Sequence, residues 1–145
     1  MGMFDAIEIS ASGLTAERLR MDVTAENLAN AQTTRTPEGG AYRRKAVVLA
    51  QAGGDFAGQL AGAVGSGSAP AGVEAVGIVA DDSPLRRVYD PGHPDADGQG
   101  YVTLPNVNPV TEMVDLIDAS RAYEANLTAM QTAKTAFTKT IELLR

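Results

Sequence analysis

The sequence predicts an α+β protein in which long N- and C-terminal helices pair as a coiled coil, with a small antiparallel β-domain inserted between them. Two observations predict this fold. Apolar residues recur in steps of three and four along both ends of the 145-residue chain. The middle is instead rich in valine, glycine and proline, which is typical of short strands and turns. The predicted division is a coiled coil from residues 1–33 and 109–145, and a β-rich middle from residues 34–108.

The N-terminal segment carries a narrow apolar seam with a spacing of seven residues. Such a seam is the pattern of a helix that lies along another helix. Small or apolar residues also lie off the seam, at Ile9, Ala16 and Val23. The seam consists of Phe4, Ile7, Ala11, Leu14, Arg18, Met21, Ala25 and Leu28.

The C-terminal segment is the strongest periodic pattern in the chain, and it has a clear start. Asn108 can cap a helix, and Pro109 suits the first helical position because its missing N–H would have no partner there. Glu112 then falls in the first turn, where the helix dipole favours a negative charge. The seam consists of Met113, Leu116, Ser120, Tyr123, Leu127, Met130, Lys134, Phe137, Ile141 and Leu144.

The middle segment contains four stretches typical of strands. A Gly/Ala-rich stretch, residues 52–72, is predicted to be a flexible loop between the first two. The basic runs Arg43–Lys45 and Arg86–Arg87 fall on strands, where such charges block unwanted edge pairing or meet acidic surface on a neighbour. The predicted strands are Tyr42–Leu49, a stretch through Val73, Val76, Ile78 and Val79, then Leu85–Tyr89 and Tyr101–Leu104.

Composition excludes several functions. The net charge of −6 argues against binding to nucleic acid, because no excess of cations exists to release counterions. The absence of cysteine excludes disulfides, thiol catalysis and zinc sites with cysteine ligands. Glycines and Pro70 interrupt the uncharged run 56–73, so we do not expect it to cross a membrane. The first ten residues lack the features of a cleaved signal peptide.

The sequence offers little for catalysis, and we expect no enzyme, no catalytic residue and no cofactor or metal. His93 is the only histidine and lies in a turn rich in proline and glycine. The acidic stretch Asp90–Gly98 leaves one alternative, a secreted calcium-binding module. Aligning Gly98 with the sixth position of an EF-hand loop puts His93 and Leu104 at positions that require carboxylates. Aspartates that bond their own turn explain the stretch better.

Both ends carry more apolar helical surface than a hairpin of two helices can bury. The off-seam residues Val114, Ile117 and Ala133 on the second helix, and their counterparts on the first, require further partners. We therefore expect a self-assembling structural subunit. Polar residues within the seams, Arg18 and Lys134 among them, would fix register and partner choice at a cost in stability.

Four stretches resemble a known family, the flagellar rod and hook proteins. Residues 19–31 contain Ala-x-Asn-Leu-Ala-Asn-Ala, which is similar to the N-terminal signature of that family, and residues 120–126 resemble its C-terminal signature. Residues 85–94 and 100–108 resemble the proximal-rod member in particular. The short middle disfavours a distal-rod member, which remains an alternative. A cytosolic coiled-coil adaptor is a third alternative.

The resemblance implies a subunit of the bacterial flagellar basal-body proximal rod. Such a subunit polymerises through its terminal helices into the axial tube that transmits torque and surrounds the export channel. The implied location is the periplasmic space, reached through flagellar type III export without a cleaved signal peptide. The implied partners are copies of itself, other rod proteins and the membrane-proximal base of the motor, with no nucleic acid and no small-molecule substrate.

The predicted assembly interface combines seam and signature residues. We expect Asn27 and Asn30 to cap or bridge where the first helix ends, and Arg121 and Tyr123 to make contacts between helices. The full set is Ile7, Leu14, Met21, Asn27, Leu28, Asn30, Met113, Leu116, Ser120, Arg121, Tyr123, Asn126, Leu127, Met130, Phe137, Ile141 and Leu144.

Overall fold

The computed structural model describes residues 3–52 and 72–143, and it confirms the α+β fold. Leu144 and nearly all of the predicted loop lie outside the described residues. Along the chain, one long helix is followed by four short strands and then by a second long helix. The elements are α1 (Met3–Ala29), β1 (Lys45–Gln51), β2 (Val73–Ala80), β3 (Arg86–Tyr89), β4 (Tyr101–Leu104) and α2 (Pro109–Leu143).

The helix ends follow local chemistry. Asn108 caps α2 as predicted, because its Oδ1 accepts a hydrogen bond of 3.0 Å from the Val110 N–H. At the end of α1, the Glu26 carbonyl accepts both the Asn30 N–H at 3.0 Å and the Asn30 side-chain amide at 2.9 Å, so Asn30 binds back onto the last helical turn. None of the described helices is long and apolar enough to cross a membrane.

The strands form two separate two-stranded sheets, β1 with β2 and β3 with β4. In the second sheet the strands are antiparallel, with Arg86 opposite Leu104 and Tyr89 opposite Tyr101. β1 begins at Lys45, three residues later than predicted. The reason is that Tyr42 donates its N–H to the Thr33 carbonyl at 3.1 Å, so this backbone joins the turn after α1 and not the sheet.

The chain divides into two compact units, and each long helix contributes to both. Unit 1 comprises Met1–Leu19, Val48–Gly77 and Ala119–Arg145, whereas unit 2 comprises Arg20–Val47 and Ile78–Asp118. Within each unit α1 packs against α2, which confirms the predicted pairing of the terminal helices.

In unit 1 the helices run antiparallel, since the start of α1 meets the end of α2. The rings of Phe4 and Phe137 lie 5.6 Å apart in an edge-to-face arrangement. Nine residues further along α1, Gly13 lies directly against the side chain of Asn126. Ala119 is fully buried, so small residues allow the two backbones to approach closely.

The face of α1 that its own chain covers overlaps only part of the predicted seam. Ala16 and Val23 are buried, whereas the seam residues Ala11, Arg18 and Ala25 are exposed. The prediction that Ala16 and Val23 need partners outside the chain is therefore wrong. On α2 the off-seam residues Val114 and Ile117 are left uncovered by their own chain, as expected, because each is 51% exposed. Small residues pair the helices, which leaves larger apolar residues facing outward.

Candidate assembly interface

A buried polar group in unit 2 joins the end of α1 to the start of α2. Asn27 is 1% exposed, and its side-chain amide makes four hydrogen bonds. Its Nδ2 donates to the Lys45 carbonyl at 2.8 Å and to the Glu112 carboxylate at 3.0 Å. Its Oδ1 accepts from the Lys45 N–H and from the Tyr42 hydroxyl, both at 2.9 Å. Every donor and acceptor site of this amide is therefore used.

Glu112, in the first turn of α2, supplies a buried negative charge to this group. It is 1% exposed, and the Arg44 Nε donates to its Oε1 at 2.6 Å. The same guanidinium reaches the Asp115 carboxylate at 3.1 Å. A buried carboxylate is tolerated only when it is paired and hydrogen-bonded, and both conditions are met here. We refer to Asn27, Tyr42, Arg44 and Glu112 as the Asn27 cluster.

Two pKa shifts follow from these contacts. The hydrogen bond to Glu112 raises the pKa of the Arg44 guanidinium, so it stays charged. Burial, reinforced by the charge of Glu26, raises the pKa of the Tyr42 hydroxyl above its usual value near 10. The hydroxyl therefore remains protonated and keeps donating to Asn27 at neutral pH.

Three residues of the basic runs pair with carboxylates within unit 2, and two of the five, Arg43 and Arg44, precede β1 instead of lying on it. Arg44 lies half-buried in the Asn27 cluster. Lys45 Nζ contacts the Glu26 carboxylate at 2.6 Å. Arg87 pairs with Asp97 at 2.6 Å and lies 5.0 Å above the Tyr101 ring. Sequence alone hides these pairs because their members are far apart in the chain.

The acidic turn that raised the calcium alternative uses its carboxylates locally. Asp97 accepts hydrogen bonds from the N–H groups of Gln99 and Tyr101, and these bonds lower the pKa of its carboxyl. Asp90 accepts from the Gly92 N–H at 3.1 Å. Across residues 3–52 and 72–143, no group of three or more acidic, histidine or cysteine side chains is placed to hold a metal ion. Nothing supports the calcium alternative.

His93 also has a local role in this turn. Its Nδ1 accepts a hydrogen bond of 3.1 Å from the Asp95 N–H. The neighbouring Asp95 carboxylate accepts a hydrogen bond of 2.8 Å from the Thr34 hydroxyl. These contacts describe a histidine that stabilises a turn, as the surrounding prolines and glycine indicate.

The first helical turns of α2 present an uncovered apolar surface in unit 2. Val110, Met113, Val114 and Ile117 are between 45% and 65% exposed. Their spacing places all four on one side of the helix. Glu112 and Ala119 lie on α2 as well but are buried. We call these four residues the α2 apolar surface. Contiguous exposed apolar residues of this kind mark interaction sites.

The predicted interface residues fall into four groups in the structure. Asn27 is buried inside its own chain, and Leu144 lies outside the described residues. Met113, Arg121, Phe137 and Ile141 are exposed. The half-buried members are Ile7, Leu14, Met21, Leu28, Asn30, Leu116, Ser120, Tyr123, Asn126, Leu127 and Met130. Their contact with other copies stays a prediction, as does the pairing of Arg18 and Lys134, both of which are exposed.

Sequence reasoning missed the partners of Glu112 and Arg44. It assigned Glu112 to the helix dipole and Arg44 to a strand edge. The signature asparagine at position 27 was the available signal, because it was expected to cap or bridge where α1 ends. Its partner Glu112 is 85 residues away, and no local pattern connects the two.

Two family models, which match the two ends of the chain, place it in the class of flagellar rod proteins. The family model for the flagella basal body rod protein matches residues 7–35. The model for the C-terminal part of flagellar basal body rod FlgEFG proteins matches residues 99–143. Together the two matches cover the helix pair and β4.

Relatives over the full length identify the particular member. The chain is 47% identical to the flagellar basal-body rod protein FlgC of Bacillus subtilis, over 99% of both chains. It is 44% identical to that of Borreliella burgdorferi, over 100% of this chain and 99% of the relative. Against the Salmonella typhimurium protein the identity is 38%, over 99% and 98%. The chain belongs to the FlgC family of flagellar basal-body rod proteins, and it is a structural protein rather than an enzyme.

Replacing Arg44 with methionine is expected to destabilise unit 2 strongly. The substitution keeps an unbranched apolar stem but leaves the Glu112 carboxylate buried without its cation. Loss of one partner of a buried ion pair costs about 3 kcal/mol of unfolding free energy. Urea denaturation measures this value. The matched control is Arg43→Met, because Arg43 is exposed and lies 4.0 Å from the exposed Asp82, a pair worth less than about 1 kcal/mol. Equal losses in the two variants would contradict the assignment.

The Tyr42 hydroxyl is expected to make stability depend on alkaline pH. Because its pKa is raised in the folded state, its contribution is fully present below the usual tyrosine pKa. That contribution is lost as pH rises through the folded value. Urea denaturation between about pH 9 and pH 12 should give a shallower fall for Tyr42→Phe than for the wild type. Tyr89→Phe, an exposed control, should keep the wild-type slope, and a shared slope for all three proteins would refute this role.

Proposed function

We propose that this proximal rod subunit polymerises into the axial tube through the surfaces of α1 and α2 that its own chain leaves uncovered. The α2 apolar surface is the observation that carries the proposal. Burial of apolar area stabilises association by roughly 25 cal/mol per Å², so a neighbour that covers these side chains gains free energy. As a member of the FlgC family, this chain is expected to contact such neighbours in a rod.

In this proposal the buried polar residues fix the structure of the subunit, and the apolar residues contact neighbouring subunits. Asn27 is covered by its own chain, so it acts on assembly by fixing the end of α1 and not by touching a neighbour. The half-buried seam residues Ile7, Leu14 and Met21 offer apolar surface on α1. On this basis residues 1–33 and 109–145 form the inner coiled coil, and residues 34–108 the outer β-rich part.

The contacts between copies are proposed to be heterologous and non-closing. An interface that joins two different faces of the subunit propagates a helical tube when its rotation does not close a ring. Membership of the rod family supports assembly with other rod proteins in the basal body. Contact with copies of itself and with the membrane-proximal base of the motor belongs to the proposal.

Location in the periplasmic space, reached without cleavage of a leader, is also part of the proposal. It is supported by the family of rod proteins to which the chain belongs. Mass spectrometry of the subunit from isolated basal bodies tests it. An intact chain of 15.1 kDa is expected, and a product lacking its first residues would contradict export without cleavage.

The double substitution Val114→Asn with Ile117→Asn tests the interface. Both side chains are half exposed, so the isolated subunit should lose less than about 1 kcal/mol of stability. Incorporation into basal bodies should fall at least about tenfold, because two apolar contacts with a neighbour are lost. Quantitative immunoblotting of purified basal bodies measures incorporation.

Thr111→Asn is the matched control for this experiment. Thr111 is exposed on the same helix, about 120° around the helix axis from Ile117 and about 60° from Val114, so it lies at the margin of the α2 apolar surface. The control should assemble like the wild type. Normal assembly of the double variant would show that the α2 apolar surface is not an interface.

A further inference from the structure

One serine of α1 holds the start of β2 in unit 1. Ser12 is half-buried on α1, and its Oγ donates a hydrogen bond of 2.7 Å to the Ile9 carbonyl. The same oxygen accepts a hydrogen bond of 3.0 Å from the Val73 N–H. The hydroxyl is therefore oriented by the helix and presents a lone pair to the strand.

The peptide group between Gly72 and Val73 is shared by the helix and the sheet. Its carbonyl accepts a hydrogen bond of 2.8 Å from the Ala52 N–H, at the end of β1. Its N–H donates to Ser12, as described above. One rigid peptide plane thus links β1 and α1, and a rotation that keeps one bond breaks the other.

The backbone at Gly72 lies so close to α1 that no side chain fits. A Cβ on Gly72 would overlap the Ser12 Oγ and would lie 3.0 Å from the Ser12 Cβ. The next neighbour, the Ile9 Cα, would be at an ordinary 3.8 Å. Ser12 alone therefore provides the steric limit at this position.

The following residue of α1 makes the equivalent contact with α2. A Cβ on Gly13 would lie 2.9 Å from the Asn126 Nδ2. Two consecutive residues of one helical turn therefore locate two different elements, β2 through Ser12 and α2 through Gly13. We call Ser12, Gly13, Gly72 and Asn126 the Ser12 junction.

We propose that the Ser12 junction is a positioning device, which fixes the start of β2 on the helix pair and thereby permits incorporation into the rod. This proposal rests on the proposed function. A sheet of two strands is marginally stable alone and needs packing against another element. In a polymer every copy must present the same surface to the next copy. A displaced β2 would change that surface.

The test is a pair of substitutions that should compensate each other. Gly72→Ala introduces the methyl group that Ser12 excludes, and overpacking of this kind shifts a structural equilibrium about tenfold or more. Incorporation of Gly72→Ala into basal bodies should fall by at least about tenfold, while its cellular level stays within about twofold of the wild type. Ser12→Gly removes the obstructing atoms together with the hydroxyl that accepts from the Val73 N–H. Ser12→Gly with Gly72→Ala should therefore incorporate better than Gly72→Ala but no better than Ser12→Gly alone.

Gly77→Ala is the matched control, because Gly77 lies in β2, the strand that Gly72 immediately precedes, with nothing within 4 Å of an added Cβ. It should incorporate like the wild type. The experiment uses a flagellated host in which this chain replaces the resident rod subunit. Failure of the wild-type chain to enter basal bodies would refute the proposed function itself.

Two outcomes overturn the Ser12 junction while leaving the proposed function intact. The first is equal incorporation of Gly72→Ala and Gly77→Ala, which would show that the close approach has no role. The second is a loss in Gly72→Ala that Ser12→Gly does not relieve, which would assign the loss to a cause other than the contact with Ser12. Partial recovery in the double variant, to the level of Ser12→Gly alone, supports the proposal, because a general loss of stability would grow with a second substitution.

Discussion

The buried carboxylate of Glu112 is the constraint on which the structure of unit 2 depends. A charge removed from water is costly unless every lone pair finds a donor, and the donors come from distant parts of the chain. Arg44 precedes β1, and Asn27 lies near the end of α1. The hydrogen bonds to this one carboxylate therefore fix the positions of the end of α1, the start of α2 and the residues that precede β1. Hydrogen bonds with strict geometry select one arrangement where apolar packing alone tolerates several.

This internal satisfaction has a consequence for assembly. The polar groups of the Asn27 cluster need nothing from a neighbour, because all the hydrogen-bonding sites of the Asn27 amide are used. The start of α2 leaves apolar side chains uncovered, as at Val110 and Ile117. Apolar burial depends on area and not on direction, so it can drive polymerisation without demanding the geometry of a polar bridge. Specific shape is thus set inside the subunit, and in the proposed polymer the uncovered apolar surface supplies the free energy of association.

The seams illustrate where sequence reasoning succeeds and where it fails. Periodicity locates both helices, and the Asn108–Pro109 cap places the start of α2 at the right residue, because these features depend on neighbours in the chain. Periodicity does not say which side of a helix its own chain covers. Leu14 and Met21 look like the natural contacts, yet Ala16 and Val23 are the buried residues. Small side chains allow closer approach of two helices, and this advantage over larger apolar residues is invisible in a hydrophobic pattern.

The strands show the same division. The stretch Tyr101–Leu104 forms β4 as predicted, whereas Tyr42 is taken from the first strand by its hydrogen bonds to Thr33 and Asn27. Likewise, the sequence predicts that the basic residue Arg44 lies at an exposed strand edge, whereas in the fold it forms an ion pair with Glu112. By itself the sequence determined the helices, their caps, the acidic turns and the family, since each rests on local chemistry or on contiguous motifs. Only the tertiary structure decided which helix faces meet, which charges pair and how close β2 comes to Ser12. Those outcomes depend on atoms tens of residues apart, and their distances follow from the packing of the whole chain.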